Sequence, residues 1–258
     1  MNRSVEPFAV VIPARYASNR LPGKPLRMLA GEPLILHVVR RAQAAGADGV
    51  VVATDDARIE KLLQAHSVEV MRTRPDHVSG SDRLAECVAR LGWGDEQIVV
   101  NLQGDEPFAP PSGIVRVTEI LAQSDAPMAT LATPIEDIGQ LYDRNVVKLV
   151  RNRHGRALYF SRAPIPWSRD AFADDPMRLP NPTPFLRHIG IYAYRVGFLI
   201  KFSRLPKTPL EQAESLEQLR VLEHGYSIVV DLAPESFPAG IDTVEDLQRA
   251  EALLSSLG

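Results

Sequence analysis

Val10-Val11-Ile12-Pro13-Ala14-Arg15-Tyr16-Ala17-Ser18-Asn19-Arg20-Leu21-Pro22-Gly23-Lys24-Pro25-Leu26 begins as an apolar, β-branched run and stops at a proline. It continues as a loop with three cations (Arg15, Arg20, Lys24), a hydroxyl (Ser18) and a Pro-Gly turn, and a helical pattern opens at Leu34. A buried strand that empties into a basic, Gly/Pro-bent loop is how an open α/β sheet presents its strand ends to an anionic ligand. One Lys and two Arg suit a polyphosphate, because their charges and fork-shaped donors match several phosphate oxygens at once. A solvated basic surface loop would carry the same residue types.

Outward from this segment the chain alternates. Gly49 to Thr54 and Val68 to Met71 read as strands, and so does Ile98 to Leu102; the faces built on Leu34, on Ile59 with Leu63, and on Asp82 to Leu91 read as helices. Strands that are apolar on consecutive residues and separated by helices imply a parallel sheet covered on both sides. The expected fold is therefore α/β, a doubly wound, mostly parallel sheet. Its ligand should lie at the carboxyl ends of the strands, where Pro13 onward, Asp55-Asp56 and Gln103-Gly104-Asp105-Glu106 fall. From about Val146 the rhythm changes to strands around His154-Gly155, a proline-rich stretch, and alternation over Leu186 to Arg195. This reads as an inserted β-rich subregion, at about residues 142–205 of a single domain 1–258, packed on the sheet edge and walling the site. Ser215 to His224, Ser227 to Val230 and Val244 to Leu254 close the chain as helix, strand and helix.

Composition narrows the function. With 258 residues and 45% hydrophobic content the chain can bury a full core. A net charge of −3 gives no field that would draw it to nucleic acid or an anionic membrane, so any anion must meet local cations. The single cysteine, Cys87, lies in an apolar helical stripe and excludes an internal disulfide framework. No apolar run has the length of a membrane span and no signal-type region precedes Phe8, so a cytoplasmic protein without membrane insertion is expected. Nucleophile-elbow, zinc, dinucleotide and P-loop signatures are all missing.

Two carboxylates stand out. Asp105 follows an apolar strand between Gly104 and a nearby Pro107, a place suited to a hard divalent ion, although an ordinary turn aspartate fits there too. Mg²⁺ commonly takes one or two carboxylates and completes its shell with phosphate oxygens and water. Asp242 could supply the second, or Asp242 or Thr243 could simply cap the last helix, with Glu245 in its first turn. Ser79-Gly80-Ser81 leads into a helix, so its backbone N–H groups and Arg83 could meet a base carbonyl or a phosphate; a plain N-cap is the other reading. His188 and Glu217 taken singly read as a structural histidine and a solvated helix residue.

Taken together, these segments resemble the sugar-activating nucleotidyltransferases, whose nucleotide loop ends in R-hydrophobic-P-G-K-P, and among them the cytidylyltransferases that act on 3-deoxy-manno-octulosonate (Kdo). Gln103 to Pro107 matches that family's Q-G-D-E-P, and Gly240 to Leu247 its G-[IV]-D-T-x-E-D-L, with Val244 where Pro is expected. His77 to Leu84 matches H-x-S-G-[TS]-[ED]-R-L; Tyr159 to Arg162, Leu186 to Tyr192 and Leu216 to Arg220 match Y-F-S-R, L-R-H-[IL]-G-I-Y and L-E-Q-L-R.

The resemblance implies a nucleotidyltransferase (Rossmann-like) fold and transfer of CMP from CTP to Kdo with release of pyrophosphate, for lipopolysaccharide biosynthesis. It implies Arg15, Ser18, Arg20, Lys24, Ser79, Gly80, Ser81, Arg83 and Gln103 at the nucleotide. It implies Gln103, Arg162, His188, Tyr192 and Glu217 at the sugar. Asp105 and Asp242 would hold Mg²⁺, with Arg15 and Lys24 beside them in catalysis, and the enzyme would be a homodimer. Another sugar nucleotidyltransferase, a nucleotide-sugar glycosyltransferase and a non-catalytic nucleotide-binding regulator remain as rival readings. The first of these would differ at the Leu186 to Tyr192 segment.

Overall fold

A computed structural model describes residues 6–17, 20–181 and 185–255. After β1 (Phe8–Ala14) and a 3-10 turn at Lys24–Leu26 come the short β2 (Met28–Leu29) and β3 (Glu32–Pro33), then α1 (Leu34–Ala44) and β4 (Gly49–Thr54). The chain continues through α2 (Ala57–Ala65), β5 (Glu69–Arg72), α3 (Gly80–Leu91), β6 (Ile98–Asn101), α4 (Pro111–Ala122) and β7 (Met128–Pro134). Next are α5 (Ile138–Tyr142), β8 (Lys148–Arg151), β9 (Ala157–Ser161), α6 (Arg169–Asp174) and β10 (Leu186–Arg195). The last part holds α7 (Val196–Phe202), α8 (Pro209–Glu214), α9 (Gln218–Glu223), β11 (Ile228–Leu232) and α10 (Val244–Ser255).

The main sheet runs β11-β7-β10-β6-β1-β4-β5, with β8 and β9 attached through β10. β1 pairs parallel with both β4 and β6, β4 with β5, and β7 with β11. Within β1, Val10 and Ile12 enter one apolar layer with α1 and α4, while Val11 enters the other with α3, α7 and α9. Both faces of the sheet are thus covered, which is why its strands carry apolar residues without a polar side. Cys87 is fully buried in the second layer. No helix among the described residues is long and apolar enough to cross a membrane.

From β1 the chain moves outward to β4 and β5, then returns to the other side of β1 with β6. That reversal makes the crevice at the carboxyl ends of β1 and β6 the switch point of the sheet. The segment expected as an edge-packed insertion divides in two. β8 and β9 form a hairpin joined to the first residues of β10, whereas β10 itself lies inside the sheet, antiparallel to both β6 and β7. It can do so because it is apolar on both sides: Ile189, Ile191 and Ala193 face the α4 layer and Tyr194 the α3 layer.

Candidate active site

A cleft of about 390 Å³ opens at the switch point, lined by Ala14, Arg15, Arg20, Lys24, Gln103, Asp105 and Asp242 among others. Its walls are close approaches of backbone. A Cβ on Gly104 would stand 2.8 Å from the Pro13 carbonyl oxygen, so only glycine lets the end of β6 pass so near the end of β1. A Cβ on Gly240 would stand 3.1 Å from the Asp105 carbonyl, which accepts a 2.8 Å hydrogen bond from the Ile241 N–H. Two segments far apart in sequence are locked together in this way, each carrying one aspartate.

The capping alternative for Asp242 is settled by its neighbour. The Thr243 hydroxyl accepts from the Asp246 N–H at 3.1 Å, and the Asp246 carboxylate accepts from the N–H groups of Asp242 and Thr243 at 3.0 and 2.9 Å. Thr243 and Asp246 therefore close the start of α10, a reciprocal cap that leaves the Asp242 carboxylate free for the cleft. There it meets cations: Lys24 Nζ donates to Asp242 Oδ1 and to Asp105 Oδ2, both at 2.8 Å, and Arg20 Nη2 lies 2.9 Å from Asp242 Oδ2. Burial alone would lower the pKa of the Lys24 ammonium, but the two carboxylates outweigh it and hold it above its ordinary value. Two carboxylates converging on one cation position beside open space form a donor set that fits a hard divalent ion. Among the described residues no third His, Cys, Asp or Glu joins them.

Arg15 reaches across the cleft mouth, its Nη2 donating to the His77 carbonyl at 2.7 Å. Its pKa is lowered by burial and then by the nearby Arg83, which leaves it charged at any ordinary pH. Ser18 lies outside the described residues. Gln103 is half-buried on the cleft wall, with its side-chain amide 3.4 Å from Asn101 Oδ1. Ser79 caps α3 reciprocally with Asp82, its hydroxyl lies 2.8 Å from that of Ser81, and Gly80 lines the cleft.

Arg83, on α3, is placed differently from the other residues expected at the nucleotide. It is fully buried, with Nη2 donating to Asp55 at 2.7 Å and Nη1 to the Thr73 hydroxyl. Its charge ties the ends of β4 and β5 to α3. Arg162 likewise directs its side chain to the backbone carbonyls of Glu214 and Arg144, at 2.7 and 3.0 Å.

His188, Tyr192 and Glu217 form a second polar cluster. The His188 ring lies 5.4 Å from the Tyr192 ring and 5.1 Å, edge-on, from Phe160, with Nε2 3.0 Å from the Thr130 hydroxyl. Burial, with Arg187 adding to it, pushes His188 down to about 3, so the ring is neutral. Tyr192 is raised by burial and then by the charge of Glu217. Glu217 takes a hydrogen bond from the Ser81 hydroxyl and has Arg220 Nη2 at 3.6 Å; burial nevertheless raises its carboxyl above the ordinary range. The Ser81–Glu217 contact links this cluster to the first turn of α3, whose Gly80 faces the cleft.

Sequence reading missed Thr130, whose hydroxyl oxygen also lies 2.7 Å from Ile191 O, to which it donates, and 3.1 Å from Ile189 O, where β10 shifts register against β7. A polar residue inside the apolar Met128-Ala129-Thr130-Leu131 run was its signal. It placed Glu106 at the strand end but gave it no role; the carboxyl is pushed up to about 8 by burial and then by Asp105, with Oε2 lacking a hydrogen-bond partner.

A basic loop and two convergent carboxylates at the switch point of a doubly wound sheet define a nucleotide-handling α/β protein. The sequence pattern of the cytidylyltransferase family matches residues 9–228, and the chain belongs to that family. It is 61% identical over 251 residues to a 3-deoxy-manno-octulosonate cytidylyltransferase of Stenotrophomonas maltophilia, covering 97% of this chain and 98% of that protein. It is 60% identical over 250 residues to one of the same name from Xanthomonas campestris pv. campestris, covering 96% of this chain and 89% of that one. A solved structure of a CMP:2-keto-3-deoxy-manno-octonic acid synthetase complexed with CTP superposes with a TM-score of 0.88 at 41% identity, covering 97% of this chain and all of that one.

Proposed function

We propose that the protein transfers the CMP moiety of CTP to Kdo, giving CMP-Kdo and pyrophosphate, and so supplies an activated sugar for lipopolysaccharide assembly. The observation that carries this reading is the meeting of Arg15, Arg20 and Lys24 with Asp105 and Asp242 in one cleft, in a chain that belongs to the cytidylyltransferases. In the reaction the anomeric hydroxyl oxygen of the sugar bonds to the α-phosphorus, the bond from that phosphorus to the β-phosphate bridge oxygen breaks, and the hydroxyl proton is released. Catalysis rests on alignment and charge neutralisation. Arg15 and Lys24 hold the triphosphate and balance the charge that gathers on departing pyrophosphate. His188, whose ring is neutral, orients sugar hydroxyls together with Tyr192 and Glu217, Ser81 steadies Glu217, and Gln103 stands where nucleotide and sugar meet. Asp105 and Asp242 are the residues that would hold Mg²⁺, which when bound supplies charge neutralisation at phosphate and acidifies a nearby hydroxyl.

We read the working protein as a cytoplasmic homodimer of single-domain subunits, with the stretch at about residues 142–205 contributing to the sugar site and to the subunit contact. The test is pyrophosphate release from CTP with Kdo or a nine-carbon sialic acid, each with and without Mg²⁺. Release with Kdo and Mg²⁺ supports the assignment. Release with the sialic acid alone would replace it with that of a related synthetase, and none with either sugar would leave nucleotide binding without transfer.

A further inference from the structure

Asp242 sits in a stretch that belongs to no strand or helix between β11 and α10, yet its carboxylate must be held to within a fraction of an ångström to share a cation with Asp105. In residues 232–244, Phe237 and Ile241 are the buried positions. Ile241 is fixed through its N–H to the Asp105 carbonyl. Phe237 is fixed from two other elements. Its ring lies on α4 at Gly113, where an added Cβ would overlap the ring. Its carbonyl accepts from Arg187 Nη2 on β10 at 3.4 Å. The charge of Arg187 also acts on the carboxyl of Glu106, the residue after Asp105. Beside this anchor, the Ser112 hydroxyl donates to Glu235.

We propose that Gly113, Phe237 and Arg187 are positioning residues for the cation site: they anchor the Phe237–Ile241 segment from behind and thereby set where Asp242 meets Asp105. The inference rests on the reading of Asp105 and Asp242 as metal ligands. Its logic is that of an outer shell, where groups that never touch the ion fix the ligands that do. Glycine inside a helix is otherwise unfavourable against alanine. Its presence at Gly113 is explained by the ring that takes the space of its missing side chain.

The experiment uses Mn²⁺ as probe and calorimetric CTP binding as readout, comparing affinity with and without Mn²⁺. In the parent protein the ratio of the two measures how far the cation site strengthens nucleotide binding. Gly113→Ala and Arg187→Met should each lower that ratio by about tenfold or more, while CTP affinity without metal stays near the parent value. Since alanine favours the helix, thermal unfolding separates a displaced loop from a damaged fold. Combining Gly113→Ala with Phe237→Leu returns room at the contact and should bring the ratio back toward the parent.

Parent-like ratios in both single variants overturn the proposal, and so does a double variant that folds but recovers nothing. Asp242→Asn is the reference that tells two failures apart. If it loses the Mn²⁺ effect while Gly113→Ala and Arg187→Met keep it, positioning is refuted and the metal reading stands. If Asp242→Asn also keeps the effect, the metal reading itself falls and takes the proposal with it.

Discussion

Lys24 holds two carboxylates together that would otherwise repel across the cleft, and it is the cation nearest to both. On the proposed function, removing either its charge or that of Arg15 would delete a charge-assisted contact to phosphate, worth roughly 1.5–3 kcal/mol. Lys24→Ala and Arg15→Ala should each lower kcat/KM for CTP about ten- to a hundredfold, measured by steady-state pyrophosphate release. Asp105→Ala and Asp242→Ala should abolish turnover while circular dichroism and the thermal midpoint stay near the parent, because both side chains lie outside the apolar layers.

His188 invites a pH test. Its folded value of about 3 lies below the ordinary 6.5, so between these values the unfolded chain binds a proton that the folded chain does not. Stability from this group is complete above about pH 6.5 and falls as pH drops toward 3, by at most about 1.4 kcal/mol per pH unit. Urea midpoints of His188→Asn should therefore decline less steeply over that window than those of the parent; equal slopes would place the ring in a wetter setting. The same variant should impair Kdo saturation far more than CTP binding. Cys87, its thiol pushed up to about 12 by burial, should resist alkylation until the protein is unfolded.

Among the elements, those whose pattern has a single solution were legible in the sequence. Gly49–Thr54 is read with its observed bounds because six residues with an apolar core between Gly and Asp leave little choice. α4 and β7 were not found. α4 opens on Pro110-Pro111, which punctuates a loop as readily as it fills the first helical turn, and β7 is built largely from small residues with Thr130 in its middle. For Asp242 the sequence left two roles open, since Asp and Thr are both good caps; the hydrogen bonds of Thr243 and Asp246 take up the cap and leave the Asp242 carboxylate in the cleft. The close approach at Gly104 yields a prediction of its own. Gly104→Ala sets a methyl against the Pro13 carbonyl and should destabilise by about 1–3 kcal/mol in urea unfolding, with a larger fractional loss of activity.

For the whole molecule, strand character pointed to the carboxyl ends of the strands, and the cleft opens there, where strand order reverses. The strand that joins the two halves was not placed by the same reasoning. Alternation over Leu186 to Arg195 marks a strand with one apolar face but says nothing about direction or neighbours, and it fits an edge as well as an interior. Light scattering in solution will test the proposed assembly, with twice the 28.5 kDa chain mass expected.

The interior place of β10 also sets a timetable for synthesis. β6 is complete at Asn101, yet one of its two edges stays without a partner until Arg195 has been made. At about 5–20 residues per second this leaves an apolar edge open for roughly 5–20 s on every nascent chain. β7 waits in the same way for the strand that will lie beside it. The two halves of the sheet are thus sealed by a late arrival, and a chain halted before residue 186 should be prone to aggregate however well its first half is formed.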